Sequence, residues 1–364
     1  MSPVATRGPV RIVGTGLLGT SIGLALRALG VDVVLADPSR TALAIAQDLG
    51  AGRLPAADDP PVALVVVAAP PDVVADVVAA ELAAHPGAVV TDVASVKTAV
   101  RDALVSAGAD LARYVGSHPM AGRERSGPTA AQAQLFAARP WVIVDSGHAS
   151  DEALLAVRSL AVDLGAVPVA MDAEGHDDAV ALVSHLPQIA ASLVAARLVR
   201  AEPEALALAG QGLRDTTRIA ASDAALWAGI LSANAGPVRE LLTGLRDDLD
   251  RVLAALDKGS VASLARVVET GNQGVGRIPG KHGGAPRAFE VVTVLVPDTP
   301  GELARLLTEI GEAGVNLEDL HLEHSPGQPV GLASISVLPG HTGRLTDVLG
   351  ARGWRIAGEE EQHA

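Results

Sequence analysis

The chain has 364 residues, enough for two or three domains, and 49% of them are hydrophobic, which supplies ample core. A formal net charge of −14 excludes a general nucleic-acid surface, because neutralising phosphates needs clustered basic side chains. The absence of cysteine excludes disulfides, thiolate metal sites and a cysteine nucleophile, and with aromatics at 2% the cores must be packed from Ala, Val and Leu.

The N-terminus has no signal-peptide pattern and no apolar run approaches the roughly 20 residues of a membrane helix, so a cytoplasmic protein without membrane contact is expected. The first element is Val10-Arg-Ile-Val-Gly-Thr-Gly-Leu-Leu-Gly19, a strand, a glycine turn and the start of an apolar helix, followed by a second strand that ends at Asp37. This order predicts a dinucleotide site at Gly14, Gly16, Leu17, Leu18 and Gly19. Gly14 permits the tight turn, Gly16 lets the backbone approach a pyrophosphate, Gly19 allows close helix packing, and the helix N–H groups face the phosphates. Asp37 lies 23 residues after Gly14. Its carboxylate would accept bonds from the adenosine ribose and repel a 2′-phosphate, favouring NAD; Ser39 and Arg40 just beyond could contact a 2′-phosphate instead.

Apolar runs at Ala63–Ala69, Ala88–Val93, Tyr114–Gly116 and Trp141–Val144, then a helix at Glu152–Leu164 and a strand at Val167–Ala170, predict a doubly wound α/β domain over residues 1–171. Two segments fall at the carboxyl edge of its sheet, where ligands of open α/β folds bind. In Thr91-Asp-Val-Ala-Ser95-Val-Lys97, Ser95 either caps the following helix or turns its hydroxyl to the cofactor cleft, and Lys97 alone says nothing. In Val115-Gly-Ser-His118-Pro-Met-Ala-Gly-Arg-Glu124, a neutral His118 can take a proton from a hydroxyl as hydride leaves the same carbon, an effect worth roughly 10²–10⁴ in rate. The bland alternative is a structural loop histidine. Glu124 is either a partner or gate for a nearby arginine, or a solvated surface charge.

From Asp172 to about Val268 the strand signal gives way to Ala/Leu-rich segments at helical period, predicting an all-helical domain over 172–270. Its apolar surface exceeds what so short a segment can bury, which points to a homodimer. Pro187 cannot donate to the carbonyl of Val183, so the helix should kink beside His185. His176 and His185 are nine residues apart, about 180° around an α-helix, so no metal-binding histidine face is expected and no metal. His185 reads as a core histidine with a satisfied bond. Arg214 and Arg218 share a helix face, either offset by Asp215 or gripping a substrate carboxylate with planar forks. Trp227 reads as packing.

Residues 271–287, glycine-rich and without apolar period, read as a linker. Residues 288–364 predict a small α+β module in the order strand (Glu290–Val296), helix (Glu302–Ala313), strand (Leu317–His324), strand (Val330–Leu338), helix and a short strand near Arg355. Asp298 or Thr299 would cap its first helix, Pro300 would sit in the first turn, and Gly301 would leave backbone amides exposed.

Taken together these segments resemble the prephenate/arogenate dehydrogenase family with a C-terminal ACT-type module. The likeness rests on Thr-Asp-Val-Ala-Ser-Val-Lys, Gly-Ser-His-Pro-Met-Ala-Gly-Arg-Glu-Arg-Ser-Gly, Ser-His-Leu-Pro-Gln and Arg-Asp-Thr-Thr-Arg-Ile-Ala, in that order. For the module it rests on Val-Pro-Asp298-Thr-Pro-Gly301-Glu-Leu-Ala with Gly314-Val-Asn316-Leu. The resemblance implies NAD-linked oxidative decarboxylation of prephenate to 4-hydroxyphenylpyruvate, a step toward tyrosine. It assigns His118 as the base on the ring hydroxyl, Ser95 as the group orienting that hydroxyl and His118, and Arg218 as a carboxylate ligand. His185, Glu124 and Arg214 fall at substrate positions. It further implies a tyrosine effector near Asp298, Gly301 and Asn316, the alternative being a purely structural or dimerising module. Gln188 stands where many relatives carry a second histidine, which leaves prephenate against arogenate open. The reading from another class is a non-catalytic NAD-binding amino-acid sensor, which would not need His118, Ser95 and Arg218.

Overall fold

The structure, a computed structural model, describes residues 4–122, 126–145, 147–279, 289–324 and 329–357. It divides into two compact units, Met1–Val199 with Thr217–Arg246, and Arg200–Thr216 with Asp247–Ala364.

The first unit is built on a seven-stranded sheet. In chain order it runs β1 (Val10–Val13), α1 (Leu17–Ala28), β2 (Val33–Ala36), α2 (Arg40–Asp48), β3 (Leu64–Val67), α3 (Val74–Ala84), β4 (Val89–Asp92), α4 (Thr98–Ser106), β5 (Tyr114–Pro119), β6 (Pro140–Val144), α5 (Asp151–Asp163) and β7 (Val167–Met171). The strand order is β2-β1-β3-β4-β5-β6-β7. Strands β1 to β5 are parallel, as the doubly wound pattern requires. β6 instead pairs antiparallel with β5, and β7 follows β6 in parallel. A parallel return needs a crossover of a dozen or more residues, usually a helix. Between β5 and β6 the described residues hold only a 3-10 turn at Pro128–Ala130, so the chain doubles back.

Period-two alternation feeds two cores. Leu64 and Val66 of β3 join the cluster of Val10, Ile12, Ile22, Leu26, Phe136 and Trp141 on one face, while Val65 and Val67 join Val74, Val78, Leu82, Val100 and Leu104 on the other. Helix α1 comes so close to β1 that a Cβ on Gly19 would lie 1.9 Å from the carbonyl oxygen of Gly14. Gly14 itself has φ +99°, a backbone conformation that glycine alone adopts readily.

After β7 the chain is helical: α6 (Ala173–Val180), a π turn (Ala181–His185), α7 (Leu186–Leu198), α8 (Pro203–Leu206), α9 (Gln211–Thr217), α10 (Ala224–Ala233), α11 (Ala235–Asp257) and α12 (Val261–Val275). The irregularity expected beside His185 takes the form of that π turn, in which Leu186 donates to the carbonyl of Ala181, five residues back. Continuing the α register would drive the Pro187 ring into the carbonyl of Val183, and the wider turn relieves the clash. α6, the π turn and α7 therefore form one continuous helix, Ala173–Leu198, long and apolar enough to cross a membrane by length and composition alone. This corrects the expectation that no apolar run approaches the length of a membrane helix. α12 likewise continues to Val275, past Gly271 where a linker was expected to begin, and the rest of that expected linker lies largely outside the described residues.

In the second unit, β8 (Glu290–Pro297), α13 (Glu302–Glu312), β9 (Asp319–His324), β10 (Val330–Val337), α14 (Thr342–Ala351) and β11 (Arg355–Ile356) form a four-stranded antiparallel sheet ordered β11-β8-β10-β9. Val292, Val294 and Val296 alternate into a core closed by Leu306 and Ile310 of α13 and Leu345 and Leu349 of α14. The capping expectation for α13 is corrected: the cap is Gly301 at φ +96°, with no side-chain bond, and Pro300 precedes it.

Candidate active site

The β1–α1 turn has the features a dinucleotide pyrophosphate needs. A Cβ on Gly16 would meet nothing within 4 Å. Gly16 is the N-cap of α1, no side chain caps the helix, and its first turn carries no acid, so the first N–H groups stay available to an anion. Asp37, at the end of β2, is held in place from that turn. Its Oδ2 accepts from Thr15 N (2.6 Å) and Thr15 Oγ1 (2.9 Å), and its Oδ1 from Ser39 N (2.7 Å). The middle residue of Gly14-Thr15-Gly16 thus fixes the carboxylate that would meet the ribose, a role the glycine pattern does not disclose. Oδ1, with one bond accepted, retains acceptor capacity for a hydroxyl.

Two strands along, the ends of β4 and β5 are tied by a buried polar cluster. Asp92 is fully buried; it accepts from Ala94 N (2.9 Å) and from the Tyr114 hydroxyl (2.7 Å), and pairs with the Lys97 ammonium. Lys97 is 1% exposed. Burial pushes its pKa down while Asp92 opposes the shift, and burial with the Asp92 charge pushes the Tyr114 phenol well up. A Cβ on Gly116 would come within 3.2 Å of the Lys97 stem, so the glycine of Gly-Ser-His makes room for this lysine. Sequence alone gave Lys97 no role, because nothing in its neighbours announces its burial.

His118, half-buried near the end of β5, directs its Nδ1 at His176 Nε2, 2.9 Å away. His176 is fully buried in α6, whose N-cap Asp172 accepts from Gly175 N at 2.6 Å. The other nitrogen of His176, Nδ1, lies 2.8 Å from Asp177 Oδ1. Asp177 also accepts from Lys97 N and Thr98 N, both at 2.9 Å, so a carboxylate from α6 caps α4. Burial pushes the Asp177 carboxyl up, but the bonds from His176, Thr98 and Lys97 outweigh it and hold it below its usual range. The His118 imidazole is held well below 6.5, first by burial and then by the neighbouring His176, Lys97 and His185, against Asp177. At neutral pH it is an uncharged base.

Ser95 sits half-buried in the loop that precedes α4. Its helix-cap reading is excluded, since α4 starts at Thr98 and Asp177 supplies the cap. His185 is 1% exposed, and Asn234 Nδ2 contacts both its Nδ1 (3.2 Å) and the Asp177 carbonyl (2.8 Å). The expectation that His176 and His185 face opposite ways is overturned: residues of a π turn rotate less than the 100° of an α-helix, both imidazoles are buried, and Asn234 links His185 to the carbonyl of Asp177, whose carboxylate meets His176. Among the described residues no group of three or more potential ligands could hold a metal. The Trp227 ring stands edge-on to His185 at 6.0 Å.

Arg218 is exposed and opens a 3-10 turn, Arg218–Ala220, that packs on α7. The helix carrying Arg214 ends at Thr217, so the shared face does not extend to Arg218, and Arg214 belongs to the other compact unit. Glu124 lies outside the described residues. In the second unit Asp298, Gly301 and Asn316 are exposed, and Asn316 Nδ2 donates to Glu318 at 2.8 Å. His176, Asp177, Lys97, Asp92, Thr15 and Asn234 are the site residues that sequence reasoning missed. The adjacent pair His176-Asp177 at the head of an amphipathic helix was the one available signal.

Residues 22–170 match the model of the prephenate dehydrogenase nucleotide-binding domain, and residues 172–270 that of the prephenate dehydrogenase dimerization domain. The chain is 41% identical over 356 residues to the probable prephenate dehydrogenase NovF of Streptomyces niveus, covering 94% of this chain and 98% of that one. It is 27% identical over 344 residues to the prephenate dehydrogenase of Bacillus subtilis, covering 90% and 91%. Among solved structures it is similar to prephenate dehydrogenase from A. aeolicus in complex with hydroxyphenyl propionate and NAD+, with a TM-score of 0.65, 26% identity and coverage of 76% and 99%. It is also similar to Synechocystis arogenate dehydrogenase, with a TM-score of 0.61, 25% identity and coverage of 73% and 98%.

Two outcomes follow from this geometry. Gly16→Ala should leave the melting temperature unchanged and abolish NAD binding measured by calorimetry, whereas Gly19→Ala should lose both, with about 1–3 kcal/mol of stability removed by overpacking. Because the folded chain holds His118 below the 6.5 of the unfolded chain, the unfolded state binds more protons under acidic conditions. Stability is therefore fully present above pH 6.5 and falls as pH drops from there toward the folded value. His118→Asn should flatten that slope in melting curves recorded across pH.

Proposed function

The chain belongs to the prephenate dehydrogenase family, and from that premise we propose that it oxidatively decarboxylates prephenate to 4-hydroxyphenylpyruvate with NAD, with His118 as the catalytic base. The observation that carries this reading is an uncharged, part-exposed imidazole at the carboxyl edge of the sheet, anchored through Nδ1 and backed by Lys97. A nucleotide-binding sensor has no use for such a group.

The Gly14–Gly19 turn would hold NAD, with the α1 N–H groups meeting its pyrophosphate and Asp37 its ribose, and the cofactor would supply a hydride acceptor at the edge formed by β4 and β5. As hydride leaves C4 of the substrate ring, His118 takes the proton of the hydroxyl on that carbon, which relieves the electron deficit. The ring carboxylate then departs as CO2, its bonding electrons pass into the ring and onto the oxygen, and the proton returns to give the phenol. Aromatisation makes the sequence irreversible. Ser95 orients the hydroxyl and His118. The fixed cluster around Asp92 keeps the loop that carries Ser95 in register with β5.

A dianion entering a desolvated cleft needs a cation, and Arg218, in the turn packed on the helix that begins beside His185, supplies it. His185 and Gln188 line the side-chain end. Helix Ala173–Leu198 exposes Leu182, Val183, Leu193 and Val194, and α11 exposes Leu249, Leu253 and Leu256; a second copy of the chain covers these surfaces in a homodimer. The C-terminal sheet is an ACT-type module, and the left-handed Gly301 cap with Asp298 and Asn316 forms its effector site for tyrosine.

Incubated with NAD and prephenate, the purified chain should generate the absorbance of reduced nicotinamide. Turnover with arogenate alone would reassign the substrate, and silence with both would leave only the sensor. His118→Asn should lower kcat by roughly 10²–10⁴ with NAD affinity unchanged. Tyrosine titration should inhibit the intact chain and spare one ending near Gly284; equal sensitivity of the two would reject the effector site.

A further inference from the structure

We propose that His176 and Asp177 form a positioning pair that holds His118 in its Nδ1-protonated tautomer, leaving the Nε2 lone pair to accept the substrate proton. The inference rests on the reading of His118 as the base and deepens it. Three contacts in series force the assignment. Ionised Asp177 has only acceptors, so His176 Nδ1 donates across 2.8 Å. A neutral His176 then offers a lone pair at Nε2, and His118 Nδ1 must donate into it across 2.9 Å. A neutral imidazole carries one N–H, which leaves His118 Nε2 bare.

The direction of the series is set at the carboxylate, not at the base. Asp177 is anchored by the backbone N–H groups of Lys97 and Thr98, so its orientation is tied to the start of α4 and does not depend on His118. The reversed arrangement needs a protonated His176, whose Nε2–H would donate to His118 Nδ1 and put the remaining proton on His118 Nε2, abolishing the acceptor. The full burial of His176 opposes that charge, as does the Lys97 ammonium already seated at the edge of the sheet. The groups that act on His118 are thus His176 and Asp177 from α6, Lys97 from the β4–α4 loop and His185 from the π turn, and only Asp177 is anionic.

Long-range ¹⁵N–¹H spectra of the intact protein, labelled on histidine and recorded above neutral pH, read the tautomer directly. The resonances lost in His118→Asn identify His118. The expected result is a protonated Nδ1 and a bare Nε2. His176→Phe, which removes the acceptor but keeps a ring in the cavity, should convert His118 to a tautomer mixture. It should lower kcat at least about 10-fold, within the roughly 10²–10⁴ owed to the base itself, with KM and NAD affinity held. His176→Gln restores an acceptor near the same point and should recover most of that loss. A His118 protonated at Nε2 in the unaltered protein overturns the proposal, and so does an unchanged kcat in His176→Phe. The spectrum needs no turnover, so a chain inactive with both prephenate and arogenate would defeat the functional reading while the tautomer assignment is judged on its own.

Discussion

The site depends on one hydrogen bond between two imidazoles. Such a bond forms only when one ring donates and the other accepts, so it excludes the state in which both are charged. At 2.9 Å it joins β5 to α6, and through Asp177 it reaches the first backbone amides of α4. Three elements that are distant in sequence are thereby locked around a single proton. Beneath them the buried Asp92–Lys97 pair adds positive potential near His118. Breaking such a pair by removing one member costs about 3–5 kcal/mol, because the other charge is then stranded. The lysine is consequently part of the scaffold and part of the field at once.

Much of this was legible in the sequence wherever local spacing determines structure. The glycine turn, the acid at the end of β2 and the position of His118 at a strand end follow from short patterns whose physics is contained within about 25 residues. The strands β3 and β8 follow from the apolar run at Ala63–Ala69 and the strand pattern at Glu290–Val296. What escaped was long-range. His118 and His176 are 58 residues apart and no period links them. Lys97 looked uninformative because a lysine is rarely buried; its partner Asp92 is close in sequence, but the room for its stem comes from Gly116 on β5. Asn234 belongs to no motif at all, yet it bridges Asp177 and His185.

Other departures have equally local causes. β6 reverses because the described residues before it hold no crossover helix, and α13 is capped by Gly301 because a left-handed residue there closes the turn without help from Asp298 or Thr299. Arg214 and Arg218 looked like neighbours on one helix, but the helix ends between them.

The π turn at Ala181–His185 makes the length of that stretch non-negotiable. Dropping one residue there would restore ordinary winding and swing everything downstream by roughly a quarter turn or more, about 100° for one α-helical residue. His185 would leave its pocket beside Asn234, and the surface of α7 offered to a neighbouring molecule would change with it. The placement of His185 and the exposed face of α7 are therefore geared to the same short coil, and a gap of a single codon would disengage both.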